Sequence, residues 1–421
     1  MKINLKYLIF KLSTRFLFLF IDIYTNLVIF FRERFFYTPY IDNINLTKSS
    51  LDIEGQTHDM YQIGDLSASD ENTIIMIGGI PTDPLESMTW LADELNKINP
   101  SLRIIIFNMP YYENHFNIET THETAKSQGR NLITKKPIDF SKLNVDPRFS
   151  HENQGIKVNE FLKALNIKSC HLVGHDRGAV ILEYFAINYP EKVLSYSRGA
   201  QVWNYIEPEW ESLAPEISVG PPHKIMSVYE QIRLLLFAVI HLKKPLDLLS
   251  DTFDRIGRKS IRGSSLYDRY THVKYKSQIT YKSYYLKFKQ SLLQGGMHSE
   301  VENRSNLKNT TFPIMQFQGE DEFKYNESGT LISDQPYFGL YNLYRNEIED
   351  IYPGCVGQDR CKYQSHLVSD KGIYKEIKIK DNARFAKFCL IPDSAHFNVI
   401  ENPKSCASAI NNFISKKVVI V

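Results

Sequence analysis

The chain has 421 residues, 43% hydrophobic and 13% aromatic, enough to bury a large core and more than one minimal domain needs. Lys and Arg number 50 against 48 Asp and Glu, and a net charge of +2 gives no electrostatic footprint for nucleic acid. The five cysteines lack C-x-x-C spacing, which argues against a zinc ribbon, and their odd count argues against a disulfide scaffold. Cys355 and Cys361 bracket a loop sequence, CVGQDRC, and would either bridge in an oxidising compartment or stay two unpaired thiols.

Residues 1–35 carry the chain's membrane character. From Phe16 to Phe31 the run is apolar and aromatic, but Asp22, Thr25 and Asn26 interrupt it. It is shorter than the roughly 20 apolar residues of a spanning helix, and Asp22 near its middle would be costly in lipid. No small-residue cleavage pattern follows, which argues against a removed signal peptide. The segment reads as a signal anchor or interfacial amphipathic helix, giving membrane association through residues 8–35, or else as a hydrophobic helix packed on the body of the protein. The expected location is therefore membrane-associated, with a cytoplasmic protein as the alternative. Lys2, Lys6, Lys11 and Arg15 favour a cytosolic amino terminus in any spanning orientation. N-x-S/T matches at Asn45, Asn303, Asn309 and Asn326 would favour the opposite side for the domain, but an asparagine-rich chain produces them by chance.

After a polar passage, NTIIMIGGIP from Asn72 reads as a buried strand entering a glycine turn. DPLESMTWLADELNKINP sets Met88, Leu91 and Leu95 at helical spacing and stops at Pro100. LRIIIFNMP is a second strand, GIKVNEFLKALNI a helix, SCHLVG a third strand, GAVILEYFAINYP a helix, and KVLSYSRGAQV begins a fourth strand. This alternation predicts an α/β fold, a mostly parallel sheet with helices on both faces. Past Trp203 it stops, and residues 207–308 read as an inserted helical lid. It resumes with FPIMQFQGEDEF and ends with FCLIPDSAHFNVIENPKSCASAINNFI. The expected organisation is an anchor or packing helix at 1–35, a first core half at 36–206, the lid at 207–308, and a second core half at 309–421.

Within CHLVGHDRGAV, Asp176 lies between Gly174 and Gly178, where an apolar strand meets an apolar helix. Such a turn needs small neighbours because its central residue is strained and lifts its side chain above the sheet. The chain has no Gly-x-Ser-x-Gly. It resembles the α/β-hydrolase fold, and within it the branch with an aspartate nucleophile, the epoxide hydrolases and haloalkane or haloacid dehalogenases. The resemblance spans roughly residues 50–206 and 306–415. It implies Asp176 as nucleophile, His396 in IPDSAHFNVIENP as general base, and Asp321 or Glu322 in QFQGEDEF as the acid that orients the imidazole. That branch carries His-Gly-x-Pro after the third strand; here GGIP, Gly78 to Pro81, replaces the histidine by glycine. An oxyanion hole uses backbone N–H groups, which survive the change, and by the resemblance Ile80 and Arg177 supply them.

A carboxylate nucleophile suits saturated carbon, an epoxide or a haloalkane, through an alkyl-enzyme ester that water then hydrolyses. Haloalkane dehalogenases have Trp after the nucleophile and often Asn in the oxyanion motif, where this chain has Arg177 and Ile80. Fluoroacetate-type dehalogenases use Asp-Arg, but their second carboxylate-binding arginine would be Val180. Epoxide hydrolases resemble this chain in Asp-Arg or similar pairs and protonate the epoxide oxygen from lid tyrosines, for which Tyr229 and Tyr285 are the candidates. The expected substrate is a small lipophilic epoxide, with water as co-substrate and no metal or organic cofactor. The alternatives are a dehalogenase and a catalytically inactive binding protein on the same fold. About 75 residues separate the acid from His396, so residues 325–380 read as an insertion with structure of its own.

Overall fold

The computed structural model describes residues 44–79, 84–113, 150–199, 311–319, 368–377, 385–394 and 397–415, with isolated positions at 16, 23 and 148. Sequence expectations for the lid at 207–308 and for nearly all of the amino-terminal segment lie outside these residues, as does the Cys355–Cys361 pair. Among the described residues no helix is long and apolar enough to cross a membrane.

The strands are β1 Thr47–Ile53, β2 Gln56–Gly64, β3 Thr73–Ile77, β4 Arg103–Phe107, β5 Cys170–His175, β6 Val193–Gly199, β7 Ile314–Gly319, β8 Val368–Asp370, β9 Lys375–Ile377 and β10 Phe385–Ile391. They form one sheet in the order β1-β2-β4-β3-β5-β6-β7-β10-β9-β8. From β4 to β10 every pairing is parallel, while β1, β2, β8 and β9 add antiparallel edges. β3, as TIIMI, is buried at every position, and β4, as RIIIF, at all but its first. Such short apolar runs, rich in isoleucine, belong to strands covered on both faces.

The helices are α1 Pro84–Ile98, α2 His151–Ala164, α3 Arg177–Asn188, α4 Asn398–Glu401 and α5 Pro403–Ser415. α1, α4 and α5 pack together on one face, where Trp90, Leu91, Ile410 and Phe413 meet Met76, Val173 and Phe317 of the strands. α2 and α3 pack against each other, and Phe161 of α2 lies 4.6 Å between ring centroids from Phe107 of β4. The α2 helix starts at His151, not at Gly155 where the apolar spacing begins, because the Ser150 hydroxyl accepts from the Asn153 N–H and caps it.

Two stretches add to the sequence reading. The polar passage before Asn72 contains the β1–β2 hairpin, turned at Glu54 and Gly55, both with positive φ. Its strands carry few apolar residues because β1 is an edge strand with most of its side chains exposed. Within the expected insertion, residues 368–377 are the β8–β9 hairpin, which extends the main sheet along β10.

The parallel register aligns the strand ends. Ile77 pairs with Gly174, His175 with Gly199, Gly199 with Phe317, and Gly319 with Ile391. The chain therefore leaves β3, β5, β7 and β10 along one edge, where loops of parallel sheets assemble binding sites.

Candidate active site

At that edge Asp176 joins β5 to α3 with φ 51° and ψ −123°, a conformation side chains rarely adopt. Strain of this kind persists only where neighbours over-determine it. Two backbone hydrogen bonds grip the turn: the Asp176 N–H donates to the Gly199 carbonyl at 3.0 Å, and the Ala179 N–H donates to the Asp176 carbonyl at 3.1 Å. Two glycines admit it. A Cβ on Gly178 would lie 2.1 Å from the Ile77 carbonyl oxygen, and one on Gly79 would lie 2.3 Å from Oδ2 of Asp176. The second glycine of GGIP is thus a close-approach position beside the carboxylate.

Arg177 is the first residue of α3, and an amide at that position has no acceptor within its own helix. Its side chain is 1% exposed and donates from Nη1 to Nε2 of His151, fully buried at the start of α2, at 2.7 Å. The arginine that follows Asp176 is therefore engaged inside the protein.

The loop expected to carry the base comes to the same place. The Phe397 ring centroid lies 6.3 Å from that of His175, the residue before Asp176. On either side of positions 395 and 396 the loop is tied down: the Ser394 hydroxyl donates to the Ile391 carbonyl at 2.9 Å, and the Asn402 amide donates to the Pro392 carbonyl at 2.8 Å. His396 itself lies outside the described residues, as do Ile80, Asp321, Glu322, Tyr229 and Tyr285. Gly79, Gly319 and Phe397 are the described residues nearest to them in sequence at the sheet edge.

Sequence reasoning missed a buried polar group on the α3 side of the sheet. Nε of Arg198 on β6 meets Oε2 of Glu183 on α3 at 3.0 Å, both side chains 1% exposed. The Tyr196 hydroxyl donates to the Ala179 carbonyl at 2.7 Å, one turn beyond the elbow. On β7, which pairs Gln316 with Arg198, the Gln316 side chain donates from Nε2 to Oε1 of Gln318 at 2.9 Å. Burial pushes the Glu183 carboxyl up, and the Arg198 charge and hydrogen bond pull it down less strongly. Polar letters at alternate positions of otherwise buried strands, SYSR and MQFQ, were the available signal.

Among the described residues no group of three or more His, Cys, Asp and Glu side chains is arranged to hold a metal ion.

No protein-family model and no curated protein sequence matches the chain. Among solved structures it is similar to epoxide hydrolase VrEH1 from Vigna radiata, at 13% identity and a TM-score of 0.50, covering 88% of this chain and 98% of that one. The sheet order and its parallel register agree with that likeness. The chain has the α/β-hydrolase fold. Other matches include an enol-lactonase from Burkholderia xenovorans LB400, at 10% identity, a TM-score of 0.48, and coverage of 87% and 100%. A thermophilic esterase from Thermogutta terrifontis matches at 11% identity, a TM-score of 0.48, and coverage of 88% and 98%. At the strained turn between β5 and α3 the chain places a carboxylate, that of Asp176.

Proposed function

We propose that the protein is a hydrolase that opens a small lipophilic epoxide, with Asp176 as nucleophile. The observation that carries this reading is a carboxylate, not a hydroxyl, at the strained turn between β5 and α3. An oxygen of Asp176 bonds to a ring carbon of the epoxide, the carbon–oxygen bond breaks, and its electron pair goes to the ring oxygen, which takes a proton from Tyr229 or Tyr285. In the second step His396, oriented by Asp321 or Glu322, takes a proton from water, and the hydroxide adds to the ester carbonyl. The Ile80 and Arg177 N–H groups hold the resulting oxyanion. Collapse breaks the bond between the acyl carbon and the alkoxy oxygen, which takes the proton held by His396 and leaves as the diol, and the proton of the regenerated Asp176 carboxyl returns to the tyrosine, restoring the carboxylate.

Attachment to a membrane through residues 8–35 is part of the same reading and suits a lipophilic substrate.

The test is a His396→Gln variant incubated with a panel of epoxides and haloalkanes and examined by intact mass and peptide mapping. The reading expects an adduct of the epoxide's mass on Asp176. Adducts from haloalkanes alone would make the protein a dehalogenase, and wild-type turnover in Asp176→Asn would discard the nucleophile.

A further inference from the structure

We infer that His151 is a positioning residue for the elbow: by accepting from Arg177 it ties the first residue of α3 to the first residue of α2 and fixes the direction of the Arg177 N–H. The inference rests on the proposed role of that N–H in the oxyanion hole.

Asp176 has a backbone conformation that must be held from outside, and its described restraints approach from three sides. Gly199 on β6 accepts its N–H, and Gly79 beyond β3 abuts its carboxylate. From α2 the elbow is reached by the Arg177–His151 hydrogen bond at 2.7 Å. α2 is itself anchored, with its amino end capped by Ser150 and its body packed on α3. His151 also faces the Tyr184 ring of α3, 6.3 Å between centroids. A guanidinium only donates, so Nε2 of His151 must present its lone pair, which places the ring proton on Nδ1. A charged donor on a neutral acceptor, both removed from water, is a strong and directional bond. One residue from the proposed nucleophile, it restrains the peptide that would aim a donor at the oxyanion. A small misplacement of that donor is costly to the reaction even with substrate binding intact.

The experiment uses the full chain in three variants, each read in two ways. Hydrogen exchange is followed at the Asp176 and Ala179 amides, and kcat and KM are measured separately with styrene oxide. His151→Phe keeps the ring volume but offers no acceptor, and Arg177→Met removes the buried charge together with the tether, guarding against a His151→Phe protein that fails to fold. Both should speed exchange at these amides and lower kcat about 10- to 100-fold with KM little changed. His151→Gln, whose carbonyl can accept from the guanidinium, should keep exchange and kcat near wild type. Wild-type exchange in His151→Phe or, where that variant does not fold, in Arg177→Met would overturn the inference. So would damage in His151→Gln equal to that in His151→Phe. If Asp176→Asn retains turnover, or styrene oxide is not turned over, the proposed chemistry is what has failed, and the exchange measurement still decides whether His151 holds the turn.

Discussion

The ring of Phe397 packs beside that of His175, 6.3 Å between centroids, so the residue after the expected base touches the residue before the expected nucleophile. This contact links the carboxyl ends of β5 and β10 although β6 and β7 separate them in the sheet. Phe397 is 2% exposed and belongs to the core shared with α4 and α5.

Phe397→Ala should destabilise the protein by about 3 to 5 kcal/mol through loss of buried ring surface and the cavity left behind. It should also lower kcat, since the loop bearing His396 loses its seat against the elbow. Urea denaturation and steady-state kinetics below the unfolding transition check both. Phe397→Leu, which fills more of the space, should recover most of each.

Gly79→Ala would set a methyl group 2.3 Å from Oδ2 of Asp176, far inside contact distance. Overpacking of this kind costs about 1 to 3 kcal/mol. At this position the carboxylate itself must move, so activity should fall far more than stability does. Comparing the change in kcat/KM with that in the unfolding midpoint separates the two.

Glu183→Ala leaves Arg198 buried without its carboxylate partner, and breaking a buried pair from one side costs about 3 to 5 kcal/mol. The double variant Glu183→Leu with Arg198→Met removes both charges and should regain most of that loss. Chemical denaturation of the single and double variants decides it.

His171 on β5 bonds Ser195 Oγ through Nδ1 at 2.7 Å and the Glu71 carbonyl through Nε2 at 3.1 Å. Burial lowers its pKa below the ordinary 6.5, outweighing the opposing effect of the Glu71 carbonyl. Because the folded value is the lower one, the unfolded chain takes up the proton first as the pH falls. The contribution of His171 is complete above about pH 6.5 and is lost progressively below it, toward the folded value. Unfolding midpoints from pH 8 to 5 should therefore drop on the acid side, and His171→Asn should flatten that part of the profile.

What was readable in the sequence follows from burial. β3 and β4 announce themselves because a strand covered on both faces must be apolar throughout, as IIMI and IIIF are. The elbow was readable because its geometry demands small residues at fixed offsets from Asp176. β1 was hidden because an edge strand keeps polar side chains on its exposed positions. His151 carried no signal: it stands 26 residues from Arg177, and nothing local to either residue says that they meet. Arg198, Gln316 and Gln318 looked like interruptions of apolar strands until the sheet brought Gln316 beside Arg198.

A single turnover of an epoxide in water enriched in oxygen-18 separates attack by Asp176 from attack by water. If Asp176 is the nucleophile, the first diol formed takes its new oxygen from the carboxylate and is unlabelled, while the heavy oxygen appears in Asp176 on peptide mapping. Heavy oxygen in that first diol with none in Asp176 would mean that water attacks the epoxide directly and that Asp176 is not the nucleophile.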